Sequence, residues 1–359
     1  MEKNIDCSKY KNNSGKDCFR NSILAILQSL PIFSDHCIDH ESFINFYQDI
    51  EDKNIINTVT YQIFKLFNLS LDNPSANLNP SSLTRVMVEK NPIWGEPSQQ
   101  DSSEYFLDLL DGLKQEQGKS VKFIGGKNFS NKSKFSNIKT LEKIIIKQKE
   151  EEYCGEKYKF LTNMYSPFNK MFNFLIKNSK ICPNCKFTNN LIESSSILKL
   201  DLPTNTLSEK LETLITNYMK LELLDEDNLF TCQSCIHKVK LGVKNKFVNL
   251  PKILVIHLKR FDMNSFGMFG RKKSNQIIYP LELDLTDIVN NGISYKYQLV
   301  SVNMHLGNSI HHGHYISMVK LATNNEWYIF NDESSVRHVN DINQLINNNA
   351  YILFYIRTD

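Results

Sequence analysis

The chain has 359 residues, of which 41% are hydrophobic and 23% are charged, and its formal net charge at pH 7 is +3. This is the composition of an ordinary soluble globular chain, long enough to bury a large core. The charge is small and no stripe of Lys and Arg interleaves with aromatics, so nothing points to a nucleic-acid partner. No signal-like apolar segment opens the sequence, and no uncharged apolar stretch of about 18 residues occurs, which predicts an intracellular protein without a membrane span.

The sequence up to about residue 112 has the periodicity of helices. A helix is predicted from Cys18 to Pro31, with an apolar face formed by Phe19, Ile23, Ile26, Leu27 and Leu30. A second apolar face is formed by Phe106, Leu109, Leu110 and Leu113. Residues 114–152 are then rich in Lys, Gly, Asn and Ser, which is typical of a solvated insertion.

From about residue 181 onward the apolar runs become short and rich in β-branched or aromatic residues. The clearest are ILVIHL (253–258), YISMVK (315–320), EWYIF (326–330) and YILFYI (351–356). These runs predict the strands of a sheet. The sheet should be mostly antiparallel, because the links between the strands are short.

Cys18 lies at the predicted start of the first helix. A thiol there meets unpaired backbone N–H groups and the positive end of the helix dipole, both of which favour the thiolate. Cys18 is therefore a candidate nucleophile. The alternative is that it is a small buried apolar residue, which is the commoner situation for a cysteine. A nucleophilic cysteine also needs a base, and the base needs a third group that orients it.

The segment HLGNSIHHGHYISMVK (305–320) supplies candidate bases. His314 stands out because it follows Gly313 at the start of a predicted strand, and a glycine there lets backbone or substrate approach closely. The next strand ends at Asn331 and Asp332, which would emerge beside the imidazole if the two strands form a hairpin. The order Cys, His, Asn is that of papain-like peptidases. Two alternatives stay open, namely a solvated histidine loop and a metal site formed by His305, His311, His312 and His314.

Two Cys-x-x-Cys pairs, CPNC (182–185) and CQSC (232–235), indicate a metal site. Four thiolates in two close pairs suit a tetrahedral Zn²⁺ ion in a closed structural site. The predicted ligands are Cys182, Cys185, Cys232 and Cys235, each pair on its own β-hairpin. Unliganded reduced thiols and a redox pair are the alternatives, although no thioredoxin-like context surrounds either pair.

Several segments together resemble the ubiquitin-specific protease family. NNSGKDCFRNSILAILQSL (12–30) is similar to the family's cysteine box, and YQLVSVNMHLGNSIHHGHYISMV (297–319) with EWYIFNDESSV (326–336) is similar to its histidine box. QQDSSEYFLDLLDGL (99–113) and LPKILVIHLKRFDMN (250–264) resemble two further family segments in the expected order. The similarity runs from about residue 10 to 357, excluding an insertion near 114–165.

The resemblance implies an α+β, papain-like cysteine peptidase with a helical thumb, an antiparallel β palm and zinc-clipped β fingers. It implies one catalytic domain over 1–359, divided into a mainly helical thumb (1–113), a variable insertion (114–165), fingers (166–250) and a palm (251–359). The implied reaction is thiol-dependent hydrolysis of the isopeptide bond after the C-terminal glycine of ubiquitin conjugates. The alternatives are a ubiquitin-binding module with impaired catalysis and a protease for a related ubiquitin-like modifier.

The resemblance also implies roles for individual residues. Cys18 would be the nucleophile, His314 the general base and acid, and Asn331 the residue that orients His314. Asp332 would supply charge or bind a catalytic water. Asn13 would donate to the oxyanion together with the Cys18 backbone N–H.

The implied substrate contacts lie on both sides of a cleft. Asp101 and Glu104 would pair with arginines in the ubiquitin tail, although the same two residues also fit a helix cap. Gly313 and Tyr315 would lie beside the tail, with the Tyr315 ring serving mainly for packing. The sequence departs from the family pattern at Lys16, Asp17 and Arg20, and an anion at Asp17 would raise the pKa of the neighbouring thiol.

Overall fold

The computed structural model describes residues 8–39, 55–74, 76–118, 166–204, 206–224, 229–261, 272–309 and 312–358. Cys7, Cys154, His311 and almost all of the predicted insertion lie outside these described residues. Within them, most helices lie in the first third of the chain and most strands in the remainder, as the α+β expectation requires. No helix among them is both long and apolar enough to span a bilayer.

The helices lie mainly in the first part of the chain. They are α1 (Cys18–Ser29), α2 (Pro31–Ile38), α3 (Val59–Asp72), α4 (Ser81–Lys90), α5 (Ser102–Glu116), α6 (Pro167–Phe172), α7 (Leu211–Tyr218) and α8 (Thr286–Val289). Short 3₁₀ turns occupy Ile55–Asn57, Pro92–Gly95 and Ile342–Leu345. The predicted first helix ends at Ser29, and Pro31 is the first residue of α2 rather than a stop, because proline is well suited to the first turn of a helix.

The strands follow one another from residue 174 onward, after one early pair. They are β1 (Lys9–Tyr10), β2 (Asn77–Leu78), β3 (Phe174–Ile181), β4 (Thr188–Ser195), β5 (Leu198–Asp201), β6 (Ser208–Lys210), β7 (Glu222–Leu223), β8 (Phe230–Thr231), β9 (Lys238–Val239), β10 (Gly242–Asn249), β11 (Ile253–Lys259), β12 (Gln276–Ile278), β13 (Glu282–Asp284), β14 (Lys296–Ser309), β15 (His312–Lys320), β16 (Trp327–Phe330), β17 (Arg337–His338) and β18 (Ala350–Arg357).

The main sheet has the strand order β17-β16-β15-β14-β18-β11-β5, and β13 pairs with β14. Its neighbours are antiparallel except for β5 and β11, which run parallel, so the prediction of a mostly antiparallel sheet is correct. Both faces are covered. Ile253 and Val255 of β11 join the core shared with the helices, whereas Leu254 and Ile256 join the core on the other face. Burial on both faces explains why the β11 sequence is apolar without alternation.

Helix α1 packs against β15 and β14 in the centre of the molecule. Every residue of α1 except Gln28 is buried, so this helix is a core element rather than an amphipathic surface helix. Its first residue, Cys18, is thereby held beside β15. The helix start and the strand start meet at the place where the sequence analysis expects the active site.

A second sheet has the order β4-β3-β10-β7, and next to it β8 and β9 form a short hairpin. The CPNC segment connects β3 to β4, and the CQSC segment connects β8 to β9. Each cysteine pair therefore lies at the tip of its own hairpin, as the spacing predicts.

Candidate active site

Cys18 is the first residue of α1 and has no exposed surface. Three backbone N–H groups act on its sulfur and favour the thiolate, namely that of Tyr315, the residue after His314, and those of Phe19 and Cys18 at the helix start. These three N–H groups lower the pKa of the thiol. Burial raises it by more, and Asp332 raises it further, so the pKa of Cys18 is about 11. The thiol, and not the thiolate expected from the helix start alone, is therefore the resting form.

His314 contacts Asn331 through its side chain. The His314 Nε2 lies 2.6 Å from Oδ1 of Asn331, the residue that directly follows β16. A carboxamide oxygen only accepts hydrogen bonds, so Nε2 carries the proton and the lone pair of the neutral ring is on Nδ1. This arrangement depends on the β15–β16 hairpin, whose register includes the pair Ser317 and Phe330. The hairpin that the sequence predicts brings the two residues together.

Asp332 connects the end of β16 to helix α1. Its Oδ1 accepts a hydrogen bond from Nδ2 of Asn21, and its Oδ2 accepts one from Nδ2 of Asn12, both at 2.8 Å. Asp332 has a left-handed backbone with φ of 47°, which turns the chain after Asn331. Asp332 therefore anchors the segment before Cys18 and the first turn of α1, in addition to raising the pKa of the thiol.

Asn12 and Asn21 are site residues that the sequence analysis missed. Asn21 is 2% exposed and lies in a helix that is buried along almost its whole length, so its side chain needs a polar partner that the sequence alone does not name. Asn12 also accepts a hydrogen bond from the backbone N–H of Asp17 through Oδ1, at 3.0 Å. The two asparagines fix the turn that leads into Cys18.

Asn13 lies in that same turn, with its side chain exposed. Its Nδ2 donates to Oδ1 of Asn79 at 2.8 Å and to Oγ of Ser81 at 3.1 Å. The carboxamide expected to face the oxyanion is thus held by the segment that begins α4. Asn79 and Ser81 carried no signal in the sequence that would have linked them to residue 13.

Asp17 is paired with Arg20, and the two side chains are largely buried. Oδ2 of Asp17 lies 3.1 Å from Nη2 of Arg20, and Nη1 of Arg20 donates to Oγ1 of Thr84. Two of the three residues that depart from the family pattern therefore neutralise each other. The charge that raises the pKa of Cys18 is that of Asp332, and the sequence analysis had expected it from Asp17.

Asp101 caps helix α5. Its Oδ1 accepts from the backbone N–H of Ser103 at 2.6 Å, which confirms the cap, and its Oδ2 accepts from the hydroxyl of Tyr351 at 2.5 Å. Glu104 is exposed as a residue in the first turn, but its carboxyl is partly buried, and this partial burial, together with the charges of Asp101 and Asp108, raises the pKa of the carboxyl. Both acids lie on the helix start that faces the main sheet.

Gly313 lies between two side chains. A Cβ at this position would be 2.3 Å from Nε2 of His305, which explains why a glycine is needed. Gln99 bonds to both backbone groups of Gly313: its Nε2 donates to the carbonyl, and its Oε1 accepts from the N–H at 2.8 Å. The sequence analysis had no signal for Gln99.

The histidine-rich segment is not a solvated loop at its start. His305 lies within β14 and is fully buried, with its ring edge-on to Tyr315 at 4.7 Å between centroids. The Tyr315 ring is 1% exposed and also packs against Tyr351, so it serves for packing. Burial, together with Lys272, lowers the pKa of His305 to about 4. His305 is therefore neutral at pH 7.

The four cysteines of the two hairpin tips come together. All four sulfurs lie within 4.8 Å of one another, with 3.8 Å between Cys182 and Cys235 and 3.6 Å between Cys185 and Cys232. A tetrahedron of sulfurs about 2.3 Å from a central Zn²⁺ has edges of about 3.8 Å, so these separations fit the ion. A hydrogen bond from the backbone N–H of Phe187 is the first cause that lowers the pKa of Cys185, to about 6.

The two cysteine turns have the same backbone design. In each, the residue after the second cysteine is left-handed, with φ of 62° at Lys186 and 60° at Ile236. The N–H of that residue donates to the carbonyl of the first cysteine, at 3.0 Å in one turn and 2.9 Å in the other. Such matched turns present both sulfurs of a pair to one point, which is what a shared metal ion requires.

Comparisons with known proteins agree with this geometry. The family model for ubiquitin carboxyl-terminal hydrolases matches residues 11–355. A probable ubiquitin carboxyl-terminal hydrolase of Acanthamoeba polyphaga mimivirus is 30% identical over 383 residues, covering 96% of this chain and 80% of the viral protein. Ubiquitin carboxyl-terminal hydrolase 4 of Arabidopsis thaliana is 27% identical and covers 90% of this chain and 83% of the plant protein.

The fold matches that of solved deubiquitinase modules. The Ubp8 module of SAGA with Sgf11, Sus1 and Sgf73, bound to monoubiquitin, superimposes with a TM-score of 0.72 at 21% identity, over 100% of this chain and 71% of that chain. The chain belongs to the ubiquitin carboxyl-terminal hydrolase family. It is a cysteine-type ubiquitin hydrolase, a deubiquitinase of the ubiquitin-specific protease type, and its fold is α+β.

Proposed function

We propose that this chain hydrolyses the isopeptide bond after the C-terminal glycine of ubiquitin conjugates, with Cys18 as the nucleophile. The observation that carries the proposal is the convergence of three distant segments. Helix α1, which begins at Cys18, packs on β15, which carries His314, and the backbone N–H of Tyr315 acts on the Cys18 sulfur. His314 in turn bonds to Asn331 through its side chain. This is the arrangement of nucleophile, base and orienting group that acyl transfer by a thiol requires.

The protonation states define the first step. Cys18 is a thiol at rest because its pKa is about 11, and the free lone pair of His314 is on Nδ1. His314 therefore takes the thiol proton as the sulfur attacks the terminal glycine carbonyl, acting as a general base. The imidazolium then gives this proton to the leaving lysine amine. A water deprotonated by His314 releases the acyl group and restores the thiol.

The oxyanion of the tetrahedral intermediate needs donors. The backbone N–H of Cys18 at the helix start is one, and Asn13 is the proposed second. Asn13 now donates to Asn79 and Ser81, so we propose that its side chain turns from these partners toward the substrate carbonyl. Loss of one such donor typically lowers the rate roughly 10²- to 10³-fold.

Residues around the cleft would recognise the ubiquitin tail. We propose that the exposed Glu104 pairs with an arginine of the tail, and that Asp101 contributes negative charge from its capping position. Gly313 and the Tyr315 backbone would line the other wall. Asp332 would act by holding Asn12 and Asn21 in place.

The cysteine cluster would hold one structural Zn²⁺ through Cys182, Cys185, Cys232 and Cys235. Its separations fit a tetrahedral site, and the ion would join two hairpins that otherwise share little core.

We also propose one catalytic domain over 1–359, with a thumb (1–113), insertion (114–165), fingers (166–250) and palm (251–359). The proposed partners are ubiquitin and its conjugates, in an intracellular compartment.

Labelling by a ubiquitin that carries a C-terminal electrophile tests the proposal. We expect the wild-type protein to form the covalent adduct under reducing conditions and Cys18→Ala to form none. Cys37→Ala is the matched control, because Cys37 is a buried thiol of helix α2 away from these contacts. A wild-type protein that binds ubiquitin without forming the adduct would be a binding module instead. Labelling by a related modifier but not by ubiquitin would change the assigned substrate.

A further inference from the structure

Strand β15 has little pairing with its neighbouring strands at the point where His314 lies. Its pairing with β16 extends only as far as Ser317 and Phe330, three residues beyond His314. On its other side β14 pairs with it at Leu306 and His314, and an irregularity in the register follows before Ser309 and His312. Gly313 has no strand partner in this register, so its backbone groups are available to a side chain.

Gln99 occupies both of these backbone groups. Its carboxamide donates to the Gly313 carbonyl and accepts from the Gly313 N–H, as a neighbouring strand would. On the other side of Gly313 the imidazole of His305 leaves no room even for a methyl group. Gly313 is therefore held from two sides, one residue before His314.

The segment that carries Gln99 is held in place by hydrogen bonds at the start of α5. Two residues later Asp101 caps α5 and accepts from Tyr351 of β18. The hydroxyl of Ser102 donates to Oδ1 of Asn303 in β14 at 2.9 Å, and Asn303 in turn donates to Ser22 of α1 at 2.9 Å. These bonds attach the start of α5 to the main sheet and to α1. Because this segment is held in place, the Gln99 carboxamide also holds Gly313 in place.

We propose that Gln99 is a positioning residue for catalysis, which holds the strand at Gly313 so that His314 meets both Asn331 and Cys18. This inference rests on the proposed function, and it assigns a role to a residue outside the Cys, His and Asn set. Gln99 acts through His314 and touches no reacting atom. Its loss lets the start of β15 shift, and a displacement of about 1 Å can lower a catalytic rate about 10²-fold.

The test compares Gln99→Ala with Gln100→Ala. Gln100 lies next along the chain, and among the described residues its side chain bonds to Ser98 of the same segment alone, so it is a matched control. For Gln99→Ala we expect kcat on a ubiquitin aminocoumarin amide to fall roughly 10- to 100-fold, with KM within about twofold of wild type. Gln100→Ala should have the kcat and KM of the wild type, and both variants should unfold at the same temperature.

A second variant and a spectroscopic measurement complete the test. Gln99→Glu keeps the size and the acceptor for the Gly313 N–H but lacks the donor for the carbonyl, and we expect its kcat to be as low as that of Gln99→Ala. In proton NMR spectra, the His314 Nε2–H resonance, identified by its loss in His314→Gln, should broaden or disappear in both Gln99 variants and persist in Gln100→Ala.

The outcomes separate the two proposals. A change in KM alone would overturn the positioning role and indicate that Gln99 faces the substrate, as would an increase in kcat/KM. Unchanged kcat together with an unchanged Nε2–H resonance would also overturn it. If the wild-type protein turned over no ubiquitin substrate, the proposed function would fail, and the NMR comparison would still decide whether Gln99 positions His314.

Discussion

The imidazole of His314 donates from Nε2 to the side-chain oxygen of Asn331 over 2.6 Å. This partner orients the ring but brings no charge, so the imidazolium of the proposed reaction would have no counter-charge at this contact. Asn331→Asp places an anion there and stabilises the protonated ring. We expect the acid limb of the kcat/KM profile to move to higher pH, because more of His314 is already protonated and cannot act as the base.

The comparison variant is Asn331→Ala, which removes the contact altogether. Because nothing then orients the imidazole ring of His314, we expect kcat of this variant to fall on the order of 10²-fold. Identical acid limbs in the wild type and Asn331→Asp would contradict the assigned contact. The measurement is steady-state hydrolysis of the ubiquitin aminocoumarin amide across the pH range in which the fold is stable.

Asp332 influences the Cys18 thiol directly. Burial is the larger cause of the raised pKa and Asp332 adds to it, so Asp332→Asn should lower the pKa of Cys18 from about 11 while leaving it above its ordinary value. The pH dependence of Cys18 alkylation by iodoacetamide, followed on the Cys18 peptide by mass spectrometry, measures this shift. Glu333→Gln is the control, because Glu333 is the neighbouring carboxylate and, like Asp332, bonds to Asn12, in its case through the backbone N–H. Equal inflection points in the two variants would rule out the effect of Asp332.

The cysteine cluster should carry one equivalent of zinc in the purified protein. Cys182→Ser and Cys235→Ser remove one ligand from each hairpin, and we expect both to lose zinc and to unfold at a lower temperature, since metal binding and folding are coupled. Cys37→Ser changes a buried cysteine of α2 and should retain the metal. Metal analysis that finds far less than one equivalent in the wild type would reject the zinc site.

Two buried histidines should make the fold sensitive to acid. Burial is the first cause that lowers the pKa of His257 and of His305 to about 4, against about 6.5 in the unfolded chain. The unfolded state binds more protons between these values, so the stabilisation is complete above about pH 6.5 and is lost as the pH falls toward 4. The free energy of unfolding should decrease over this window, by on the order of a few kcal/mol.

His257→Phe tests this expectation, because the ring can pack against Tyr351 as the imidazole does. We expect a shallower fall in the free energy of unfolding by urea between pH 6.5 and 4. His338→Gln, which changes an exposed histidine, serves as the comparison variant. A slope as steep in His257→Phe as in the wild type would show that His257 does not contribute.

Much of the local structure was readable from the sequence. Apolar periodicity located α1 and α5, and β-branched runs located β11, β15, β16 and β18. The Cys-x-x-Cys spacing located both hairpin tips. The end of the first helix is not fixed by the sequence, because a proline can equally follow a helix or begin one, and here Pro31 begins α2.

The polar contacts of the site were not readable in the same way. Asn12, Asn21 and Gln99 bond to residues more than 200 positions away, and nothing in the neighbouring sequence marks such partners. The pairing of Asp17 with Arg20 was within one turn, yet its neutralising effect depended on both side chains being buried together.

The sequence by itself determined which side chains are available for chemistry, because side-chain type and spacing single out the proposed nucleophile, the proposed base and the four candidate metal ligands. Only the tertiary structure decided the protonation states of these side chains. Burial outweighs three N–H groups at Cys18 and keeps the sulfur protonated, and burial holds His305 neutral. Both effects follow from how much water the surrounding chain excludes, which depends on packing between segments that are remote in sequence.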